Sequence, residues 1–436
     1  MQLFRSPTYT LRVILFLALI LRFVALLCMD IHPVSDAGAY VRLAENLMNG
    51  NGFTDNGSIT AYRLPGYPAF LAAVFSISHS IPLVQIVQIL IDVCSCFFLF
   101  RIGSLLFSAK SGLVAALIWA VLPSAIVHTS FMLTETLFTS LFLGSLTLLF
   151  YKKNQAEFSF GRGRLFAIGV LWGVCSLIKP NIMLAPVSIF LTCFVRERKI
   201  TAKAFGYIGV VVAGMTIILA PWVIRNYMSF GKATLSTNGG VNFWIGNNPL
   251  ATGTYNYPLD NPIESVTGEV TQSELGYQLG WEFIRSHPLK TIVLAGKKTA
   301  YMFVLDSPVA IALSHEGATS AEGCTYRDLY KQTQWWLIAL INLPYCLLLI
   351  AGIVGFSRSY YSSALLLLFI GFWLFTHGVY FGGARFHFPI LPLFALGAAS
   401  LPFPVLSQKR RLIVPGILSA LLLVLWGAEI FTVFFH

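Results

Sequence analysis

The chain has 436 residues, of which 56% are apolar and only 11% charged, and its mean hydropathy is +0.75. Such a composition excludes a water-soluble globular domain, whose surface needs far more charge. The formal net charge of +11 does not require a nucleic-acid partner, because much of the Lys and Arg gathers in loops between apolar runs.

Those runs are long enough to cross about 30 Å of hydrocarbon as helices. The expected fold is an all-α polytopic membrane protein, one transmembrane domain over 1–436. It has about 11 transmembrane helices, at 11–29, 83–106, 111–127, 132–151, 165–178, 181–195, 204–224, 333–356, 361–380, 386–403 and 412–434. The first is read as a retained span, since it carries Arg22 and lacks a small-residue cleavage site. Arg22 and Asp92, of opposite sign within the first two spans, are expected to pair.

Between these two spans lies a first external loop, 30–82, with amphipathic juxtamembrane helices. Its Pro65 to Ser80 stretch is apolar but short and rich in helix breakers, so it is read as re-entrant or juxtamembrane. Basic clusters at Arg5/Arg12, Arg101/Lys110, Lys152-Lys153, Arg162/Arg164, Arg196 to Lys203, Arg358 and Lys409 to Arg411 are placed in the cytoplasm. They hold sixteen of the 29 basic residues, while only Glu157 and Glu197 of the acids share that side. A larger external loop, 225–332, contains Gly/Asn-rich turns and a helical stretch from Glu269 to Arg285. Leu289 to Leu305 carries Lys297-Lys298 centrally and is expected to lie along the interface, where a Lys pair costs less than in hydrocarbon.

With this sidedness, Asp36, Arg63, Glu135, Lys179, Arg225, Arg385 and His387 fall at external span ends or in adjoining loops, so one cavity could hold them all. Asp36 opens an amphipathic helix, where the positive helix end keeps a carboxylate ionised as a base, a cation ligand or simply a cap. Arg63, framed by Leu64-Pro65-Gly66-Tyr67-Pro68, suits bidentate capture of phosphate oxygens, or snorkels to headgroups. Glu135 lies a few residues into an apolar run, where a carboxylate is a functional candidate by default. Candidate donor-phosphate ligands are Arg63, Lys179, Arg225, Arg385 and His387. Candidate substrate contacts are Tyr40, Tyr62, Tyr67, Asn242 and Trp244.

Taken together, Ser35-Asp36-Ala37-Gly38-Ala39-Tyr40, Arg63-Leu64-Pro65-Gly66-Tyr67-Pro68, Thr134-Glu135-Thr136, Lys179-Pro180 and Arg385-Phe386-His387-Phe388-Pro389 resemble the GT-C class of integral membrane glycosyltransferases. The likeness is to the branch related to protein O-mannosyltransferases and lipid A aminoarabinose transferases. It implies a polyprenyl-phosphate-linked sugar as donor, an external or periplasmic active site at a bacterial inner membrane, and inversion at the anomeric carbon. A glycan, a glycolipid or a protein would be the acceptor. Asp36 resembles the catalytic acidic residue of the first external loop and Glu135 the second acidic residue. Asp36-Ala37 stands where the protein mannosyltransferases have an acidic pair, so a divalent cation (Mg or Mn) on Asp36 and Glu135 stays open. A transporter or flippase of lipid-linked sugars, and a glycan polymerase or ligase, are the competing readings.

Overall fold

The structure is a computed structural model of the chain and describes residues 6–29, 31–33, 35–151, 161–197, 201–258, 261–314, 326–401 and 413–435. The basic residues Arg5, Lys152-Lys153, Arg198-Lys199 and Lys409 to Arg411, and Glu157, lie outside the described residues.

The N-terminal half runs α1 (Pro7–Cys28), α2 (Asp36–Met48), a hairpin of β1 (Thr54–Asp55) and β2 (Ser58–Ile59), α3 (Gly66–Phe75), α4 (Ile81–Leu106), α5 (Ala109–Val121), α6 (Pro123–His128), α7 (Thr134–Phe150), α8 (Arg162–Ser176), α9 (Ala185–Glu197) and α10 (Ala202–Phe230). After it come α11 (Asn238–Gly246), α12 (Glu269–Ser286), α13 (Pro288–Tyr301), α14 (Ser307–Ser314), α15 (Tyr326–Gln332), α16 (Trp335–Arg358), α17 (Tyr360–Val379), α18 (Leu391–Ala399) and α19 (Ile413–Phe435).

Within the described residues the eleven expected ranges are mostly helical, and among these residues only α1, α4, α10, α16, α17 and α19 contain a stretch long and apolar enough to cross a membrane. The remainder are shorter, or broken where proline forces a restart: Pro123 separates α5 from α6, and 3-10 turns at Pro180–Leu184 and Ala384–Ile390 precede α9 and α18. The ten residues of α3 rise only about 15 Å at 1.5 Å each, too little to span.

α4 anchors the bundle, packed by α1, α5 and α7, and α8 lies along α10. There the helices touch backbone to backbone: a Cβ at Gly169 would sit 2.2 Å from the Val211 carbonyl oxygen, so a side chain would push them apart. Arg22 and Asp92 do pair, fully buried between α1 and α4, with Nε to Oδ2 at 2.7 Å. Trp119 Nε1 donates to the other carboxylate oxygen, and the remaining guanidinium protons reach the Ala18, Trp119 and Ala120 carbonyls. A pair satisfied this completely is structural.

Outside the bundle, α12 and α11 pack together over the first external loop. Glu269, at the start of α12, accepts hydrogen bonds from the Thr60 hydroxyl, the Ala61 N–H and the Thr237 hydroxyl. The two external loops are thus tied into one body. α13 divides the lysine pair: Lys297 is exposed, whereas Lys298 is buried and donates to Asn247 Oδ1 (2.9 Å) and the Val379 carbonyl (3.1 Å). Lys298 thus finds its polar partners inside the protein.

Candidate active site

Asp36 begins α2, preceded by Ser35 in the left-handed region (φ 52), an uncommon conformation for a non-glycine residue. Arg63 is delivered by a glycine. The Gly66 N–H donates to the Leu177 carbonyl at 2.8 Å, and a Cβ on Gly66 would lie 2.6 Å from that same oxygen. Only glycine lets the first external loop dock on the end of α8, which brings Arg63 beside the loop carrying Lys179. Arg385 comes from the far end of the chain on the 3-10 turn before α18, a turn held by Trp373 Nε1 donating to the Phe386 carbonyl at 2.7 Å.

These segments converge. Asp36 Oδ1 lies 3.0 Å from Arg63 Nη2, and Asp36 Oδ2 accepts from Arg385 Nη2 at 2.6 Å. Glu135, 2% exposed in the first turn of α7, takes the Lys179 ammonium at 3.0 Å on Oε1 and the Thr134 hydroxyl on Oε2. Arg385 links the two carboxylates, since its charge acts on Glu135 as well as on Asp36. The Arg63 guanidinium also stacks near two tyrosine rings, 5.4 Å from the centre of Tyr40 and 5.8 Å from that of Tyr62.

Burial by itself would raise the Asp36 carboxyl, but the charges of Arg385 and Arg63 outweigh it and hold the group below the usual carboxylate range. Asp36 is therefore ionised at neutral pH, with each oxygen engaged by a guanidinium. Three cations surround two carboxylates, and the facing oxygens are already spent on them. Such a donor set does not fit a bound divalent cation, which needs several free oxygen ligands. Among the described residues no group of three or more His, Cys, Asp or Glu is arranged for a metal.

Five of the seven charged candidates thus meet, and two do not. Arg225, on α10, donates to the Thr60 carbonyl (2.8 Å) and the Phe53 carbonyl (3.0 Å) and packs against Trp222 and Phe53. Nη1 and Nη2 thus hold backbone oxygens of residues 30–82, Nη1 also reaching Asn226 Oδ1, and among the described residues no ion pair joins Arg225 to the Asp36 cluster. His387 is wholly buried, its Nδ1 2.8 Å from the Met302 carbonyl and 3.2 Å from the Tyr345 hydroxyl, with Asp306 3.9 Å from Nε2. It points into the bundle and holds the turn that presents Arg385.

Among the expected substrate contacts, Tyr40 and Tyr62 flank Arg63. Tyr67 is fully buried, donates to Gln88 Oε1 at 2.8 Å and supports Tyr40 edge-on, so it stands behind the site. Trp244 is 8% exposed in a separate apolar cluster with Val241 and Ile263, its indole N–H on Asn261, and Asn242 is half-buried on the same helix α11. Sequence reasoning passed over Tyr255, an exposed residue after α11 whose ring meets Phe381 edge-on at 5.5 Å. No charge or motif around it marks it in the sequence.

The model of the dolichyl-phosphate-mannose-protein mannosyltransferase family matches residues 63–224. A search of curated proteins finds no match. Among solved structures, the Archaeoglobus fulgidus oligosaccharyltransferase tethered to an acceptor peptide is similar, with a TM-score of 0.55 and 15% identity over 92% of this chain and 50% of that one. The same archaeal enzyme, AglB, in complex with an inhibitory peptide and a dolichol-phosphate gives 0.50 and 13%, covering 95% of this chain and 54% of that one. ArnT from Cupriavidus metallidurans bound to undecaprenyl phosphate gives 0.46 and 16%, covering 91% and 78%. The chain spans about half the length of the archaeal structures. By fold the chain is similar to the GT-C glycosyltransferases, and over residues 63–224 it matches their protein-mannosyltransferase family, as its motifs led one to expect.

Proposed function

We propose that the protein moves a monosaccharide from a polyprenyl-phosphate donor to an acceptor hydroxyl, with inversion, at the extracytoplasmic face of the plasma membrane. One observation carries this reading: Arg63 and Arg385, groups suited to phosphate, are gathered on both oxygens of a single external carboxylate, Asp36. Archaeal AglB, whose fold is similar, forms a complex with a dolichol-phosphate, which supports a lipid phosphate as the ligand for those cations. The positive-inside count supports the external placement.

The chemistry follows from where charge grows. The acceptor oxygen attacks the anomeric carbon, its proton passes to Asp36, and the anomeric C–O bond breaks with its electron pair leaving on the lipid phosphate. The phosphate goes from one negative charge to two, so Arg63, Arg385 and Lys179 are placed to stabilise the transition state more than the ground state. A phosphate leaves without protonation, so no general acid is needed, unlike in a glycosidase. Glu135 balances Lys179 and Arg385 between turnovers.

The same cations mask the base until the donor arrives. A phosphate that draws Arg63 and Arg385 towards itself weakens their hold on Asp36 and restores its basicity, which favours donor binding before acceptor. The test is to incubate purified protein with a panel of polyprenyl-phosphate sugars and follow free lipid phosphate. Consumption of a panel member supports the proposal. Binding or translocation of the panel without consumption would transfer the site to a transporter.

A further inference from the structure

A second feature of the external body is a cavity of about 300 Å³ between α2, the β1–β2 hairpin and the start of α12. Its size is at the lower end of the roughly 300 to 1,000 Å³ usual for small-ligand sites. Among its walls are Arg42, Asp55, Ser58, Thr60, Tyr62 and Arg63, and none of Glu135, Lys179 and Arg385 lines it. Arg63 is thus a shared partition, with the cavity on one flank and Asp36 held by the same guanidinium.

The wall is rigid and electrically balanced. The hairpin pairs Thr54 with Ile59 and Asp55 with Ser58, and its tight turn places Asn56 and Gly57 both at positive φ, the geometry of a two-residue hairpin loop. Arg42 is paired with Asp55 at 3.1 Å, Arg63 with Asp36, and Glu269 is used up by Thr60, Ala61 and Thr237. The charges lining the cavity cancel, Arg42 and Arg63 against Asp55 and Glu269, whose hydrogen bonds from neutral donors leave its charge in place, so the cavity itself carries no net charge to attract an anion or a cation. What remains is the Tyr62 ring, the Ser58 hydroxyl and a small apolar floor of Ala39 and Leu43. An aromatic face beside hydroxyl and charged hydrogen-bonding groups suits a neutral, hydroxyl-rich ring, whose C–H faces stack while its hydroxyls bond.

We infer that this cavity is the acceptor subsite and that the acceptor is a neutral glycan, one of whose hydroxyls is presented past Arg63 towards Asp36. The inference rests on the transferase reading above and specifies its acceptor. All walls come from external segments, so the glycan enters from the aqueous side while the lipid donor approaches from the bundle side, where Lys179 and Glu135 stand.

The experiment uses full-length protein with the donor identified from the panel, in water alone and with methyl glycosides of neutral hexoses as acceptor probes. Ser58→Trp is chosen to fill the cavity from an exposed hairpin position, and Ile59→Ala, at the neighbouring exposed position outside the lining, is the control. In the wild type and in Ile59→Ala, methyl glycosides should accelerate lipid-phosphate release saturably over the rate in water. In Ser58→Trp the half-saturating glycoside concentration, read against that variant's own rate in water, should be raised by about tenfold or more, the signature of lost acceptor binding. If Ser58→Trp responds to glycosides like the wild type, or if only a hydroxyl-bearing peptide accelerates release, the acceptor assignment is overturned while the transferase reading stands. If no donor is consumed under any condition, the transferase reading falls and the assignment with it.

Discussion

Replacing Asp36 by Asn separates the two roles assigned to this residue. The amide is nearly isosteric but cannot take a proton, so turnover should fall by roughly 10² to 10⁴, the usual worth of a general base. Donor affinity should move the other way. In the wild type the incoming phosphate competes with Asp36 for Arg63 and Arg385, whose side chains are 23% and 38% exposed. At such exposure each pair is worth about 0.5 to 1 kcal/mol after screening, so freeing both guanidiniums offers about 1 to 2 kcal/mol. At 1.36 kcal/mol per decade this is a roughly 5- to 30-fold tighter complex with polyprenyl phosphate. Titration of both proteins with polyprenyl phosphate, for instance by calorimetry in detergent, reads the affinity, and lipid-phosphate release from the donor reads the turnover. Weaker binding by Asp36→Asn would refute the shared clamp, and undiminished turnover would remove Asp36 as the base.

Other consequences follow from the same geometry. Arg63→Gln removes one of the two charges that hold the Asp36 carboxyl down, so the acid limb of kcat/KM, which reports the free enzyme, should move to higher pH; an unmoved limb would show that Arg63 does not act on Asp36. Linkage has the same sign, since a depressed carboxyl adds stability above its unfolded pKa and loses it as pH falls through the folded one, so acid unfolding of Arg63→Gln should begin at higher pH. Lys179→Met leaves the buried Glu135 charge unpaired and should destabilise the protein by about 3 to 5 kcal/mol, much of it recovered in Lys179→Met with Glu135→Gln, as thermal unfolding in detergent would reveal. Arg225→Ala should loosen the first external loop, seen as faster proteolysis near Phe53 to Thr60, while binding of polyprenyl phosphate stays close to wild type; a large loss of affinity would restore Arg225 to the clamp. Because the carboxylates are engaged by cations, EDTA should leave turnover unchanged, and restoration of a lost activity by Mg or Mn would contradict this.

How much of this was legible depended on the kind of signal. Helices and their order were readable because apolar runs of membrane length admit few alternatives, and the Arg22–Asp92 pair because two opposite charges in neighbouring spans have few other ways to be satisfied. The five clustered charges could be picked out by their sidedness. Arg225 and His387 share that expected sidedness yet lie apart from the cluster, since sidedness does not reveal which carbonyls a side chain will meet: Phe53 and Thr60 for one, Met302 for the other. The burial of Lys298 is hidden in the sequence for a related reason, its partners Asn247 and Val379 being 51 and 81 residues away. In the sequence Glu269 only opens a helical stretch, and only the folded chain shows it joining residues 60–61 to Thr237.

Stereochemistry and stoichiometry together test the central claim most directly. With a donor of known anomeric configuration, NMR of the glycosylated acceptor and quantification of free polyprenyl phosphate would be measured in one reaction. The single displacement described here gives an inverted linkage and one lipid phosphate released per sugar transferred. A retained configuration, or sugar transfer without release of lipid phosphate, would contradict it.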